Sequence, residues 1–300
     1  AIRTPSVRVP VAGTGRAYRH AKGFVAGRPS GAGFPLVINE SVEDQPIATL
    51  TVPAVAPCQA SWPIRRSSIM KITVFGANGA TGRLLTNQAL AAGHTVTAVT
   101  RRPADFPITH EHLRVVAADV HHASAVDHAI EDADVVLSTL GVPFTRKPIT
   151  VYSDGIRTIT TAMSQHGIKR VVAVSSSATE PHHHADGGFL LNRVLQPMVT
   201  ATIGKTTYAD MRRMEQHLRD SDLEWTIMRP SGLFDAPAVT SYALHENQAP
   251  GIFTSRADLA ASLLEQISDT RFLRKTVAVT TTEGTPTLFQ LMRREAFKKG

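Results

Sequence analysis

The densest chemistry in this 300-residue chain is a glycine trio, Gly76-x-x-Gly79-x-x-Gly82, set directly after an apolar, β-branched stretch at 71–75. Gly76 permits a tight turn, Gly79 lets the backbone close on a ligand with no Cβ between, and Gly82 lets the next helix pack on the strand. Free N–H groups at the start of that helix turn their partial positive charge toward an anion. With Asn78, Ala80 and Thr81 in the same turn, this segment is expected to hold a diphosphate, the part shared by dinucleotide cofactors. A glycine trio alone also fits any Gly-rich turn. The strand before it, the helix after it and a second strand at 95–100 favour the dinucleotide reading.

The end of that second strand discriminates between cofactors. An acid there accepts hydrogen bonds from ribose hydroxyls and repels a 2′-phosphate. This chain has Thr100-Arg101-Arg102 instead. Guanidinium groups pair with phosphate through charge-assisted hydrogen bonds, so the expectation is NADP(H) in preference to NAD(H). Asp119 and Val120 close the third strand, where adenine is expected, and Leu140 and Gly141 close the fourth, near the nicotinamide ribose. Ligands of open α/β sheets lie outside the carboxyl ends of the strands, which brings Ser175 and Ser176 of the fifth strand and Pro230 and Ser231 of the sixth to the nicotinamide. A hydroxyl at Ser176 can hydrogen-bond the nicotinamide amide or a substrate carbonyl.

The elements that must position these residues follow from hydrophobic periodicity. Short apolar, β-branched runs at 71–75, 95–100, 113–118, 134–140, 170–175, 223–229 and 276–281 read as strands. Helical patterns at 81–92, 123–131, 150–166, 207–220, 256–267 and 285–298 lie between and after them. Continuously apolar short strands indicate burial on both faces. Alternating strand and helix predicts an α/β, Rossmann-like doubly wound parallel sheet, here with a small C-terminal substrate lobe.

Composition divides the chain in two. Residues 1–69 hold eight basic residues to three acids, and eight of the 18 prolines, without helical or strand period. This stretch is expected to be a disordered leader or a non-native extension before Met70. The formal net charge of +7 is thus mostly a property of the front segment, which argues against nucleic-acid binding by the main body. No apolar run is long enough to span a membrane, and the single Cys58 excludes an intramolecular disulfide framework. The remainder, 70–300, is expected to be one NAD(P)-binding domain with a lid or subunit contact inserted near 181–207. His182, His183 and His184 lie in that insertion. Adjacent loop histidines do not easily converge on one ion, so no metal is expected. Glu215 and Asp210 read as structural or exposed.

Residues 70–283 resemble the atypical short-chain dehydrogenase/reductase group that includes the NmrA-like proteins and biliverdin reductase B (flavin reductase). The resemblance rests on Ile72-Thr-Val-Phe-Gly-Ala-Asn-Gly-Ala-Thr-Gly82, Ala118-Asp119-Val120 and Arg170-Val-Val-Ala-Val-Ser-Ser176. It also rests on Leu218-Arg-Asp-Ser-Asp-Leu-Glu-Trp-Thr-Ile-Met-Arg-Pro230 and Ser255-Arg-Ala-Asp-Leu259. The resemblance implies one NADP(H)-binding domain, and Ser176 matches the group's active-site serine. It covers both reductases and non-catalytic cofactor-sensing regulators. The Tyr-x-x-x-Lys pair of typical short-chain dehydrogenases has only Tyr208-Ala-Asp-Met-Arg212 as a counterpart, with Arg for Lys. Ser231 stands where the flavin reductase has a histidine near its substrate. The expectation is a cytoplasmic NADPH-dependent oxidoreductase, monomer or homodimer, passing hydride to a small planar acceptor such as a flavin, a quinone or a similar carbonyl compound. Ser176, Ser231 and Tyr208 are its catalytic candidates. The alternative is a non-catalytic NADP(H)-sensing regulator of NmrA type.

Overall fold

The computed structural model describes residues 69–145, 147–180 and 204–286. The leader expected over 1–69 lies outside these residues except for Ile69. So do the inserted lid up to residue 203 and nearly all of the helix expected at 285–298.

Seven strands stand where the β-branched runs predict them: β1 (Lys71–Phe75), β2 (Thr95–Thr100), β3 (Leu113–Ala117), β4 (Val135–Ser138), β5 (Arg170–Val174), β6 (Glu224–Pro230) and β10 (Lys275–Thr281). Three further strands, β7 (Gly232–Phe234), β8 (Tyr242–Glu246) and β9 (Phe253–Ser255), lie between β6 and β10. The main sheet runs β3-β2-β1-β4-β5-β6-β10-β8, every pairing parallel except β10 with β8. β7 and β9 pair parallel in a two-stranded sheet of their own, the small lobe beyond β6.

Among the described residues, five helices cover the faces: α1 (Ala80–Ala91), α2 (Ala123–Ile130), α3 (Val151–Gln165), α4 (Lys205–Arg219) and α5 (Arg256–Glu265). One face of the sheet packs Val136, Val171 and Ile227 against Ile130 of α2, Ile156 and Ile159 of α3, and Met214 and Leu218 of α4. The other packs Val74, Leu137 and Val172 against Leu85 and Ala89 of α1 and Leu259 and Leu263 of α5. Each fully buried Leu or Ile contributes roughly 1.5–3 kcal/mol, so the two apolar layers fix the helices to the sheet.

The helix ends explain where the chain turns. Gly93 adopts φ +85, and the N–H of His94 donates to the carbonyl of Ala89 at 3.0 Å, closing α1 where the sequence places a glycine stop. Ser255 caps α5 by accepting from the N–H of Asp258 at 3.0 Å. α3 borrows its cap from another helix. The Asp210 carboxylate, fully buried on α4, accepts from the N–H of Tyr152 at 2.9 Å and from the Ser153 hydroxyl. Asp210 is therefore structural, and buried rather than exposed.

Candidate functional site

The order β2-β1-β4 reverses the direction of chain progression between β1 and β4, and that is where a crevice opens at the carboxyl ends of the strands. The chain leaves β1 through Gly76 at φ +75, where a Cβ would sit 2.6 Å from the carbonyl oxygen of Thr139. No other residue fits. The N–H of Gly79 donates to the carbonyl of Gly76 at 3.0 Å, and α1 begins behind it. A Cβ on Gly82 would overlap the Gly76 carbonyl and approach Ala77 Cα to 2.8 Å, so Gly82 sets how closely α1 seats on the turn. Gly79 is the N-cap of α1 and provides no side-chain acceptor, and the first turn carries no acid. The positive end of the helix thus faces the crevice without an internal anion. Asn78 braces the turn by accepting from Arg83 Nε at 2.9 Å.

The crevice has a volume of about 1080 Å³. Of the residues expected to hold a cofactor, Gly76, Asn78, Gly79, Ala80, Thr81, Arg101, Arg102, Asp119, Val120, Leu140, Gly141, Ser175, Ser176 and Pro230 all line it. Gly82 alone stands behind the wall, where it acts through packing. The catalytic candidates Ser176, Ser231 and Tyr208 line it as well.

At one end lie the two arginines. Arg102 Nε is 3.3 Å from Asp105, on an exposed 3-10 turn at Pro103–Asp105. Arg101 is exposed and makes no ion pair among the described residues. Asp119 and Val120 lie just past the end of β3 rather than within it. The backbone N–H of His121 donates to the Asp119 carboxylate at 3.0 Å and, ahead of the ring contact and Arg101, holds it below the ordinary carboxylate range.

At the other end β4 stops at Ser138, two residues short of the expected strand. The Thr139 hydroxyl turns to donate to the Phe75 carbonyl at 3.0 Å. The following loop is held by Tyr152, whose hydroxyl accepts from the N–H of Val142 at 3.3 Å. Ser175 and Ser176 divide the labour expected of them jointly. The Ser175 hydroxyl is buried and donates to Glu215 at 2.6 Å, so it is committed to the protein. Ser176 Oγ accepts from the N–H of Ala178 at 3.2 Å, and its hydroxyl also hydrogen-bonds Tyr208. Tyr208 is 8% exposed, with the Phe144 ring edge-on at 5.9 Å. Burial, then the neighbouring Tyr152, pushes its phenol above the ordinary value, against a hydrogen bond with Ser176. The phenol is therefore neutral at pH 7. Arg212 is committed to the turn beside this end: Nη1 donates to the carbonyl of Thr179 at 3.1 Å. The Ser231 hydroxyl donates to the Gly251 carbonyl at 3.3 Å.

Glu215 is 1% exposed, and its role is structural rather than surface. Burial alone would raise its pKa. Hydrogen bonding and charge from Arg229, with further bonds from Ser175 and Arg219, overcome that and hold it below the ordinary range. The signal in the sequence is position: Tyr208, Met211, Glu215 and Leu218 recur at helical spacing along one stripe of α4, and all four are buried. Phe144, Met211, Thr139 and Tyr152 also line the crevice and have no motif that marks them.

A family model described as NAD(P)H-binding matches residues 76–270. An uncharacterized protein of Mycobacterium tuberculosis is 31% identical over 166 residues, which are 55% of this chain and 15% of that protein. The chain thus spans only a small part of the length of that curated relative. A short-chain dehydrogenase/reductase from Veillonella parvula, solved in complex with NADP, superposes with a TM-score of 0.59 at 21% identity, over 71% of this chain and 95% of its own. An anaerobilin reductase from Escherichia coli O157:H7 superposes with a TM-score of 0.55 at 24% identity, over 72% of this chain and all of its own. These two likenesses establish a common fold.

Proposed function

The chain belongs to the NAD(P)H-binding family, and on that premise we propose that it is an NADPH-dependent oxidoreductase that reduces a small planar acceptor. One observation carries the reading. One crevice joins an uncapped helix N-terminus, an arginine with no ion pair among the described residues at one end, and a neutral phenol beside a serine hydroxyl at the other. The glycine turn fits the cofactor because Gly76 and Gly82 admit no side chain, and a Cβ at Gly79, on the crevice wall, would press on the Gly76 carbonyl oxygen at 3.2 Å.

When bound, NADPH supplies the hydride and the protein supplies position. The N–H groups at the start of α1 take the diphosphate. Arg101 takes the 2′-phosphate, helped by Arg102. Val120 and the apolar part of the wall flank the adenine, and Leu140 and Gly141 border the second ribose. Ser176 donates to the carboxamide or to an acceptor carbonyl, and Tyr208, uncharged at neutral pH, can donate a proton to the acceptor through its hydroxyl. Phe144, Tyr208 and Met211 offer flat or polarizable apolar surface, which suits a planar ring. That the Veillonella protein was solved with NADP supports the cofactor choice.

The position of Arg212 favours a second reading. A lysine there would reach the ribose and assist the tyrosine, whereas Arg212 is bonded to Thr179. A site without that assistance suits a regulator that binds NADP(H) and catalyses nothing. The test is NADPH oxidation by the full chain, followed by loss of reduced-nicotinamide absorbance with flavins and quinones. Turnover of any acceptor supports the reductase. Saturable binding with no turnover across the panel overturns it in favour of the sensor.

A further inference from the structure

Five donors converge on one buried carboxylate at the edge of the crevice. Glu215 Oε1 accepts from the Ser175 hydroxyl at 2.6 Å, the Thr179 hydroxyl at 3.1 Å and Arg229 Nε at 2.9 Å. Oε2 accepts from Arg229 Nη2 at 2.6 Å and Arg219 Nη2 at 2.9 Å. Ser175 and Thr179 bracket the turn that carries Ser176, Ser177 and Ala178 into the crevice, and Arg229 directly precedes Pro230 and Ser231. The one proton of the Thr179 hydroxyl is shared between Glu215 and the Ser176 carbonyl, which stands closer at 2.8 Å, and Arg229 Nη1 pairs with Glu180 at 2.6 Å. The carboxylate sits on α4, the helix that brings Tyr208 and Met211 to the same wall.

A buried ion pair is a poor way to add stability, since desolvation cancels most of its attraction and an apolar pair would serve as well. What it does provide is directional restraint. On the reading of the crevice as an NADPH site, we propose that Glu215 is a positioning residue for the nicotinamide end: it fixes the ends of β5 and β6 and helix α4 at one separation, so that Ser176, Tyr208 and Pro230 meet the ring in register. It touches neither cofactor nor acceptor.

Glutamine at this position cannot reproduce the pattern. If its amide nitrogen takes the place of Oε1, three donors lose their acceptor; if it takes the place of Oε2, it faces two guanidinium groups. Either way the Ser175–Thr179 turn or Arg229 is released.

The test is titration calorimetry on the full chain with two ligands: NADPH, which spans the whole crevice, and adenosine 2′,5′-bisphosphate, which fills only the adenosine end. Glu215→Gln is expected to weaken NADPH about tenfold and to leave adenosine 2′,5′-bisphosphate within about twofold of wild type. It is also expected to lower the fluorescence enhancement of bound NADPH. Thr179→Val, which removes one of the five donors and does not line the crevice, is expected to act in the same direction by about threefold. It carries the test if Glu215→Gln fails to fold. Unchanged NADPH affinity, or equal losses for both ligands, overturns the positioning role. A wild-type chain that binds neither ligand overturns instead the function on which the proposal rests.

Discussion

Gly82→Ala is the perturbation whose outcome follows most directly from the geometry. In an ordinary helix this exchange stabilises by about 0.8–1 kcal/mol, because alanine loses less backbone entropy. Here the new Cβ would stand 2.8 Å from both Ala77 Cα and the Ala77 carbonyl oxygen, and closer still to the Gly76 carbonyl, where ordinary contact starts at 3.4 Å. Those atoms are backbone of the turn and cannot rotate aside. α1 must therefore retreat by more than about half an ångström, at an overpacking cost of about 1–3 kcal/mol. The net expectation is a loss of up to roughly 2 kcal/mol in urea unfolding. The same retreat carries the first-turn N–H groups away from the diphosphate, so NADPH affinity should fall by about tenfold or more. The two readouts are measured on one preparation, urea unfolding for stability and calorimetry for NADPH. A Gly82→Ala chain that is more stable than wild type and binds NADPH equally well would refute the packing argument.

Two further outcomes are expected. Arg101→Ala should weaken NADPH about tenfold while leaving NADH within about twofold, and Arg102→Ala should do less, because Arg102 is already paired with Asp105 at 3.3 Å. Equal losses for both nucleotides would contradict the assignment, as would a difference that added salt fails to shrink. Glu215 gives a pH dependence of defined sign. Its pKa is lowered in the folded chain from an ordinary value near 4.5. Its contribution is therefore full above that value and is lost as pH falls through the lower folded one. The thermal midpoint of Glu215→Gln should lie below wild type at pH 7, by the equivalent of roughly 3 kcal/mol, and the gap should narrow only below about pH 4.5.

The sheet was legible because each buried strand is a run of β-branched residues in contrast to its flanks, and the glycine turn because sterics leave those positions no other choice. β7 and β9 are three residues each, too short to show a period, and β8 is half-buried up to its exposed last residue, Glu246. It forms an antiparallel edge whose pairing with β10 is set by a return of the chain that no local pattern encodes. The crevice was legible where it depends on strand ends. The network behind it was not. Glu215 and Arg229 are 14 residues apart and meet only because α4 and β6 pack together, and a charged residue in isolation reads as solvated. The one local clue is that Glu215 occupies an apolar stripe of its helix. The sequence marks Ser176 over Ser175 only through the resemblance, and it takes packing to show that the Ser175 hydroxyl is committed to Glu215.

Backbone N–H groups at the start of α1, with Arg101 beside them, are expected to hold a phosphorylated pyridine dinucleotide. Calorimetric titration of the full wild-type chain with NADPH and with NADH tests it most directly. Saturable heat with NADPH and weaker binding of NADH are expected. Absence of heat with both, or tighter binding of NADH, would contradict it.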